Sequence, residues 1–110
     1  MLSALLVSAS CGSYAGTVTI VNRADEPISL ITFKMSSGET QEVTNLDPSN
    51  RATINYRVPG DAGYSVEVVF LSGKRLKTDD NYVTRGFDYQ DQIIVTSSEM
   101  QFTREIVDRW

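Results

Sequence analysis

The chain contains no histidine among its 110 residues. That removes the commonest general base, the usual metal ligand and the usual switch near neutral pH. A serine–histidine–aspartate triad is impossible for the same reason. The single cysteine, Cys11, allows no disulfide within the chain and no thiolate zinc site. Strong charge is lacking too. A net charge of −4 offers none of the basic surface that nonspecific binding to nucleic acid or anionic membrane requires. The apolar runs fall short of the roughly 20 residues of a membrane-spanning helix. No segment of about ten residues keeps a convincing helical period, Met100 to Arg109 coming nearest. Internal repeats and low-complexity segments are absent.

What is present reads as strands. The run Tyr64 to Leu71 is rich in β-branched and aromatic residues, with Tyr64, Val66, Val68 and Phe70 on one face. Ser72-Gly73 supplies a two-residue turn, and a polar return strand begins at Lys74. Thr17 to Asn22 is a first strand, with Val18 and Ile20 facing the same way. In Ile28 to Met35 the alternation puts Ile28 and Leu30 on one face and Ile31, Phe33 and Met35 on the other. Thr40 to Thr44 is a short polar edge strand. From Arg51 to Val58, Ala52, Ile54, Tyr56 and Val58 point inward, and the residues between them face water. Tyr82 to Phe87 is weakly strand-like and broken by Gly86, with Asp88 to Gln90 continuing as loop. Gln92 to Ser97 and Met100 to Val107 form a closing hairpin, with Met100, Phe102 and Ile106 on one face. Seven or eight short strands at spacings of about 8–12 residues predict an all-β, mainly antiparallel sandwich. At hydrophobic and charged contents of 41% and 22%, the chain is an ordinary globular domain.

The first ten residues are uncharged and apolar or small, and Cys11-Gly12-Ser13 follows. An apolar run ending in small residues before a cysteine resembles the end of a bacterial lipoprotein signal, in which the cysteine is lipidated. Ser8 stands where that motif usually carries leucine, and the basic segment that would precede the run is missing. Cleavage after Ala15, at Ser13-Tyr14-Ala15, is a rival reading. A cytosolic protein with an apolar first segment and an inert Cys11 is a third. The expected division is residues 1–16 as export or lipoprotein remnant and 17–110 as one sandwich domain.

The succession Leu46-Asp47-Pro48, Arg51 to Val58, Pro59-Gly60-Asp61, Tyr64 to Phe70, Ser72-Gly73 and Tyr82 resembles small bacterial envelope proteins and lipoproteins. Their folded part is an immunoglobulin-like or transthyretin-like sandwich. The resemblance implies a fold and a periplasmic, outer-membrane or secreted location, and carries over no functional residue. Some such proteins are assembly factors, inhibitors or toxin-immunity proteins.

Three clusters are candidates for chemistry. Asp79, Asp80 and Asn81, with Asp88 and Asp91, bring hard oxygens toward one end, as calcium requires, but their spacing is not that of an EF-hand and suits a solvated loop equally. The pair Asp79 and Asp88 has the residue types of a glycosidase, with nothing in the sequence to put a cleft between them. Lys74, Arg75 and Lys77 suit an acidic partner, or protect an edge strand from aggregation. Tyr82, Arg85, Phe87 and Tyr89 have the composition of an interface hot spot, or cap the open end of the sandwich. The leading expectation is a non-enzymatic envelope protein, without cofactor, that binds another protein through a strand edge or the 82–89 loop in an accessory, inhibitor or immunity role. Its only tie to a membrane is a lipid anchor at Cys11. The alternative is a small ligand- or carbohydrate-binding module, assisted by calcium.

Overall fold

The computed structural model describes residues 15–79 and 81–108; Cys11 and the signal-like run lie outside them. Among the described residues nine strands follow one another: β1 (Ala15–Asn22), β2 (Ile28–Met35), β3 (Thr40–Leu46), β4 (Arg51–Arg57), β5 (Ala62–Phe70), β6 (Arg75–Lys77), β7 (Asn81–Val83), β8 (Phe87–Val95) and β9 (Met100–Asp108). They form two sheets. The first has the order β4-β1-β8-β9; the second has the order β3-β2-β5-β6, with β7 also pairing β5. All pairings are antiparallel except β1 with β8. The all-β sandwich expected from the sequence is therefore the fold.

The core is the alternating set from both sheets. Val66 and Val68 of β5, Ile31 and Phe33 of β2, Val18 and Ile20 of β1 and Ile93 of β8 are fully buried. Phe33, Tyr56 and Tyr64 pack ring to ring, with centroids 4.9–5.4 Å apart, as aromatic pairs prefer. Gly16 makes room for this cluster: a side chain there would intrude on the ring of Tyr56. Asn22, at the end of β1, is buried and pins three segments. Its amide donates to the carbonyls of Glu26 (3.1 Å) and Leu46 (2.9 Å), and its side-chain oxygen accepts the Ala24 N–H at 2.9 Å.

Several expectations need correction. The simple alternation in β2 fails at its start, where the pairing with β5 shifts between Ile28 and Leu30. This bulge turns Ile28 into the core with Ile31, Phe33 and Met35, while Leu30 is only half-buried. The loop expected over Asp88 to Gln90 is strand, because β8 begins at Phe87 and pairs with both β1 and β9. Gly86, at φ 111°, makes the sharp turn that allows this. β1 starts at Ala15, two residues before the expected Thr17.

The two sides of the sandwich differ. On one, the loop between β3 and β4 joins the sheets, and Gln41 of β3 donates to the Asn55 carbonyl of β4 at 2.6 Å. On the other, β9 is the outer strand of the first sheet and faces the short, interrupted β6 and β7 of the second. Among the described residues β9 pairs with β8 alone, over all nine of its positions.

Candidate functional site

Alternation along β8 and β9 sends one carboxylate and one guanidinium inward at facing positions, Asp91 and Arg104. Asp91 is 3% exposed. Arg104 holds it with two hydrogen bonds, Nε to Oδ1 at 2.7 Å and Nη2 to Oδ2 at 3.0 Å. The Tyr56 hydroxyl donates to Oδ2 at 2.9 Å, and the Tyr64 hydroxyl donates to the same oxygen. A buried carboxylate persists only when so supplied with donors. The remaining Arg104 nitrogen, Nη1, donates to the Tyr82 carbonyl at 2.6 Å, across the open side of the sandwich. The guanidinium also lies 4.4 Å from the Tyr89 ring centroid and 5.2 Å from that of Phe102, a cation–π arrangement. One carboxylate thus ties β8 and β4 to β5, and through Arg104 ties β9 to β7.

The electrostatics follow from burial. Both Tyr56 and Tyr64 have phenol pKa values driven far above 10.0, first by desolvation and then by the adjacent Asp91 carboxylate. Burial works against the Arg104 charge, but the hydrogen bonds and charge of Asp91 outweigh it and raise its pKa. Four donors converge on the Asp91 oxygens, so the cluster ties β4, β5, β8 and β9 to one carboxylate.

Of the expected contact residues, Tyr82 and Phe87 are exposed, at 59% and 36%, and Arg85 stands exposed in the turn between their strands. Tyr89 turns inward and is 4% exposed. Its hydroxyl accepts the Thr84 N–H at 2.9 Å, and its ring meets Phe87 edge-on at 6.4 Å. Asp61 fixes this corner from β5's approach: bonds from Thr84, and secondly from Tyr82, hold its carboxyl below the usual range.

Two surfaces that the sequence reading missed flank β9. Near its start lies a groove of about 350 Å³, with Leu76, Met100 and Phe102 among its lining residues and Lys77, Asp79, Asn81 and Glu99 at its polar margin. The Asn81 side-chain nitrogen is buried there and has no hydrogen-bond partner among the described residues. Near its end, Ile106 is 54% exposed and lies opposite Tyr89, beside Phe87. Arg104 sits between the two surfaces.

The other expected clusters are placed differently. Asp91 belongs to the core, and among the described residues no three acidic or thiol side chains gather to hold a metal. Arg75 faces Glu67 at 3.6 Å and Lys74 Nζ donates to the Ser97 carbonyl, so β6 carries its basic residues as a partly paired edge. The outer face of the first sheet has a hollow of about 420 Å³ lined by Thr17, Thr19, Gln90, Gln92, Thr103 and charged neighbours, with no ring among them.

No protein-family model matches the chain, and no match is found among curated proteins. Solved structures do match in shape. A protein from Eubacterium rectale, solved by NMR, superposes with a TM-score of 0.60 at 16% identity, over 87% of this chain and 93% of that one. Two candidate cell adhesion proteins, from Bacteroides uniformis and Bacteroides ovatus, give TM-scores of 0.54 and 0.51 at 13% identity each. They match over 86% and 87% of this chain, which spans only 50% and 45% of their own lengths. At these identities the likeness is one of fold.

Two predictions follow from the buried network. Asp91→Ala leaves Arg104 and two phenols without their acceptor, and should cost about 3–5 kcal/mol, read from the urea midpoint; a loss under about 1 kcal/mol would contradict the network's role. The folded chain also holds the Tyr56 and Tyr64 protons more tightly than the unfolded chain. Stability should therefore be unaffected by these groups below pH 10.0 and fall above it, by about 1.4 kcal/mol per pH unit for each phenol. By tyrosinate absorbance, Tyr56 and Tyr64 should ionise only as the chain unfolds. Their smooth titration in the folded state would refute their burial against Asp91.

Proposed function

We propose that this chain is a non-enzymatic bacterial envelope domain that grips a protein partner by strand addition along β9. The observation that carries the reading is the outer side of β9, a nine-residue strand that pairs with β8 alone among the described residues. Such an edge offers its N–H and C=O groups to an incoming strand, and alternate side chains of that strand then meet whatever flanks the edge. Here the flanks are apolar at both ends, Leu76, Met100 and Phe102 at one and Ile106 with Phe87 at the other. The Asn81 side-chain amide, without a hydrogen-bond partner among the described residues, supplies a donor at the same seam. Tyr82 and Arg85 extend the contact beyond the edge, and Tyr89 supports it from beneath.

A surface or periplasmic location agrees with the signal-like N-terminus, and Cys11 would be the lipid anchor. The adhesion assignment of the two Bacteroides proteins supports a binding role on a cell surface. An accessory, inhibitor or immunity role would each use this same edge. The carbohydrate-binding alternative calls for rings on a flat face, and the ringless hollow of the first sheet gives it little support.

The test is capture from the native envelope with the full chain, compared with Tyr82→Ala and Phe87→Ala. Each variant should keep its unfolding midpoint and weaken capture at least about tenfold, or about 1.4 kcal/mol. If both unfold, these rings are core residues and the contact reading of this corner fails; if both fold and bind like the parent, the partner sits elsewhere.

A further inference from the structure

We infer that β9 pairs with β9 of a second copy, antiparallel, about a two-fold axis through Thr103, so that the two first sheets become one. This rests on the reading of β9 as a strand-adding edge, and names one partner for it. The argument is one of register. In a continuous antiparallel sheet, residues that face each other point to the same side. Two copies of one strand can therefore pair only about a residue, so that even positions face even and odd face odd; this is the self-complementarity of an isologous contact.

Few registers satisfy the side chains. An axis through residue 104 sets Arg104 against itself, and one through residue 105 sets Glu105 against itself, each a like-charge pair directly across the sheet. An axis through residue 102 leaves the exposed Ile106 beyond the end of the second copy's strand, and one through residue 106 leaves Met100 and Phe102 uncovered. The axis through Thr103 pairs every position from Met100 to Ile106. On the inner side, Met100 faces Ile106 of the second copy, covering an apolar side chain that is 54% exposed. Phe102 faces Arg104 of the second copy, the same contact of guanidinium with ring that Arg104 already makes at 5.2 Å within one chain. On the outer side, Gln101 faces Glu105, and Thr103 faces Thr103. No like charges meet: Met100 and Ile106 cover one another and Phe102 takes the Arg104 guanidinium, while Val107 lies beyond the paired span.

The network of Asp91 supports the geometry, because it prevents the strand from twisting to find another fit. With Arg104 held by Asp91 on one side and bonded to the Tyr82 carbonyl on the other, the middle of β9 is fixed in the sheet plane. A pairing of a single strand is a small interface, so the dimer should dissociate on dilution.

Cysteine cross-linking reads the register directly. In the full chain with Cys11→Ser, Thr103→Cys should yield a disulfide-linked dimer on mild oxidation, since paired Cα atoms lie about 4.5–5.5 Å apart and disulfides span about 4.4–6.8 Å. Gln101→Cys alone and Glu105→Cys alone should give none, because each is displaced from its own copy by four residues, about 14 Å. A mixture of the two should cross-link. Sedimentation of the parent should show a concentration-dependent dimer, weakened at least about tenfold by Ile106→Asp. A parent that remains monomeric at the highest concentration reached, or Thr103→Cys no more cross-linked than Gln101→Cys, would overturn the self-pairing. Envelope capture that still depends on Tyr82 and Phe87 would then show that the β9 edge takes a strand from another protein instead; loss of both results would fail the edge reading itself.

Discussion

A carboxylate in the middle of an apolar core is the constraint from which the rest of this molecule follows. Asp91 is tolerable there only because four donors converge on it, from β9, β4 and β5. Each donor fixes a position. Tyr56 must reach across from β4, which requires the bare backbone of Gly16 beside it. Tyr64 must come from the opposite sheet, which sets how the two layers slide over one another. Arg104 must point inward from the outermost strand, and in doing so it carries its own charge to the seam, where the Tyr82 carbonyl takes its last nitrogen. Hydrophobic burial would hold a sandwich together without this cluster. The cluster selects one sandwich among the alternatives, a specifying role that buried polar groups fill in some proteins.

The same network explains why one side of the fold is shut and the other available. At the β3–β4 side the chain itself passes between the sheets. At the β9 side Arg104 spans the gap to the Tyr82 carbonyl and Lys74 reaches the Ser97 carbonyl, with apolar surface between. Edge strands are commonly guarded by charges on the strand. Here the strand's arginine is committed to the interior and the Glu105 side chain is exposed on the outer face. What remains at the edge is backbone with Met100, Phe102 and Ile106, which suits attachment.

Much of the fold was legible from alternation alone. The inward faces of β4 and β5 matched the pattern of Ile54, Tyr56 and Val58 and of Tyr64, Val66, Val68 and Phe70, because an uninterrupted strand covered on one side has no freedom to differ. Where a bulge intervened, at the start of β2, the pattern misassigned Ile28. The polar composition of Asp88-Tyr89-Gln90 read as loop because buried charge is rare, and the pairing that makes Asp91 tolerable is across strands, invisible in a local window. Yet a signal was present: Arg104 falls in phase with Met100, Phe102 and Ile106, and Asp91 in phase with Ile93 and Val95. Two opposite charges on the inward faces of neighbouring strands would have been the hint of a buried pair. The 82–89 segment was recognised by its aromatics, but its division into exposed Tyr82 and Phe87 and buried Tyr89 needed the position of Gly86 and the start of β8.

The most direct measurement is residue-resolved hydrogen exchange along β9, in the full chain and at a dilution where it is monomeric. An edge strand held rigid by Arg104 but paired on one side should alternate, with amides bonded to β8 protected and those between them exchanging near the rate of an unstructured peptide. Uniform protection along Met100 to Val107 in the monomer would mean that the edge is already covered, and uniform rapid exchange would mean that Asp91 and Arg104 do not hold the strand; either would contradict the account.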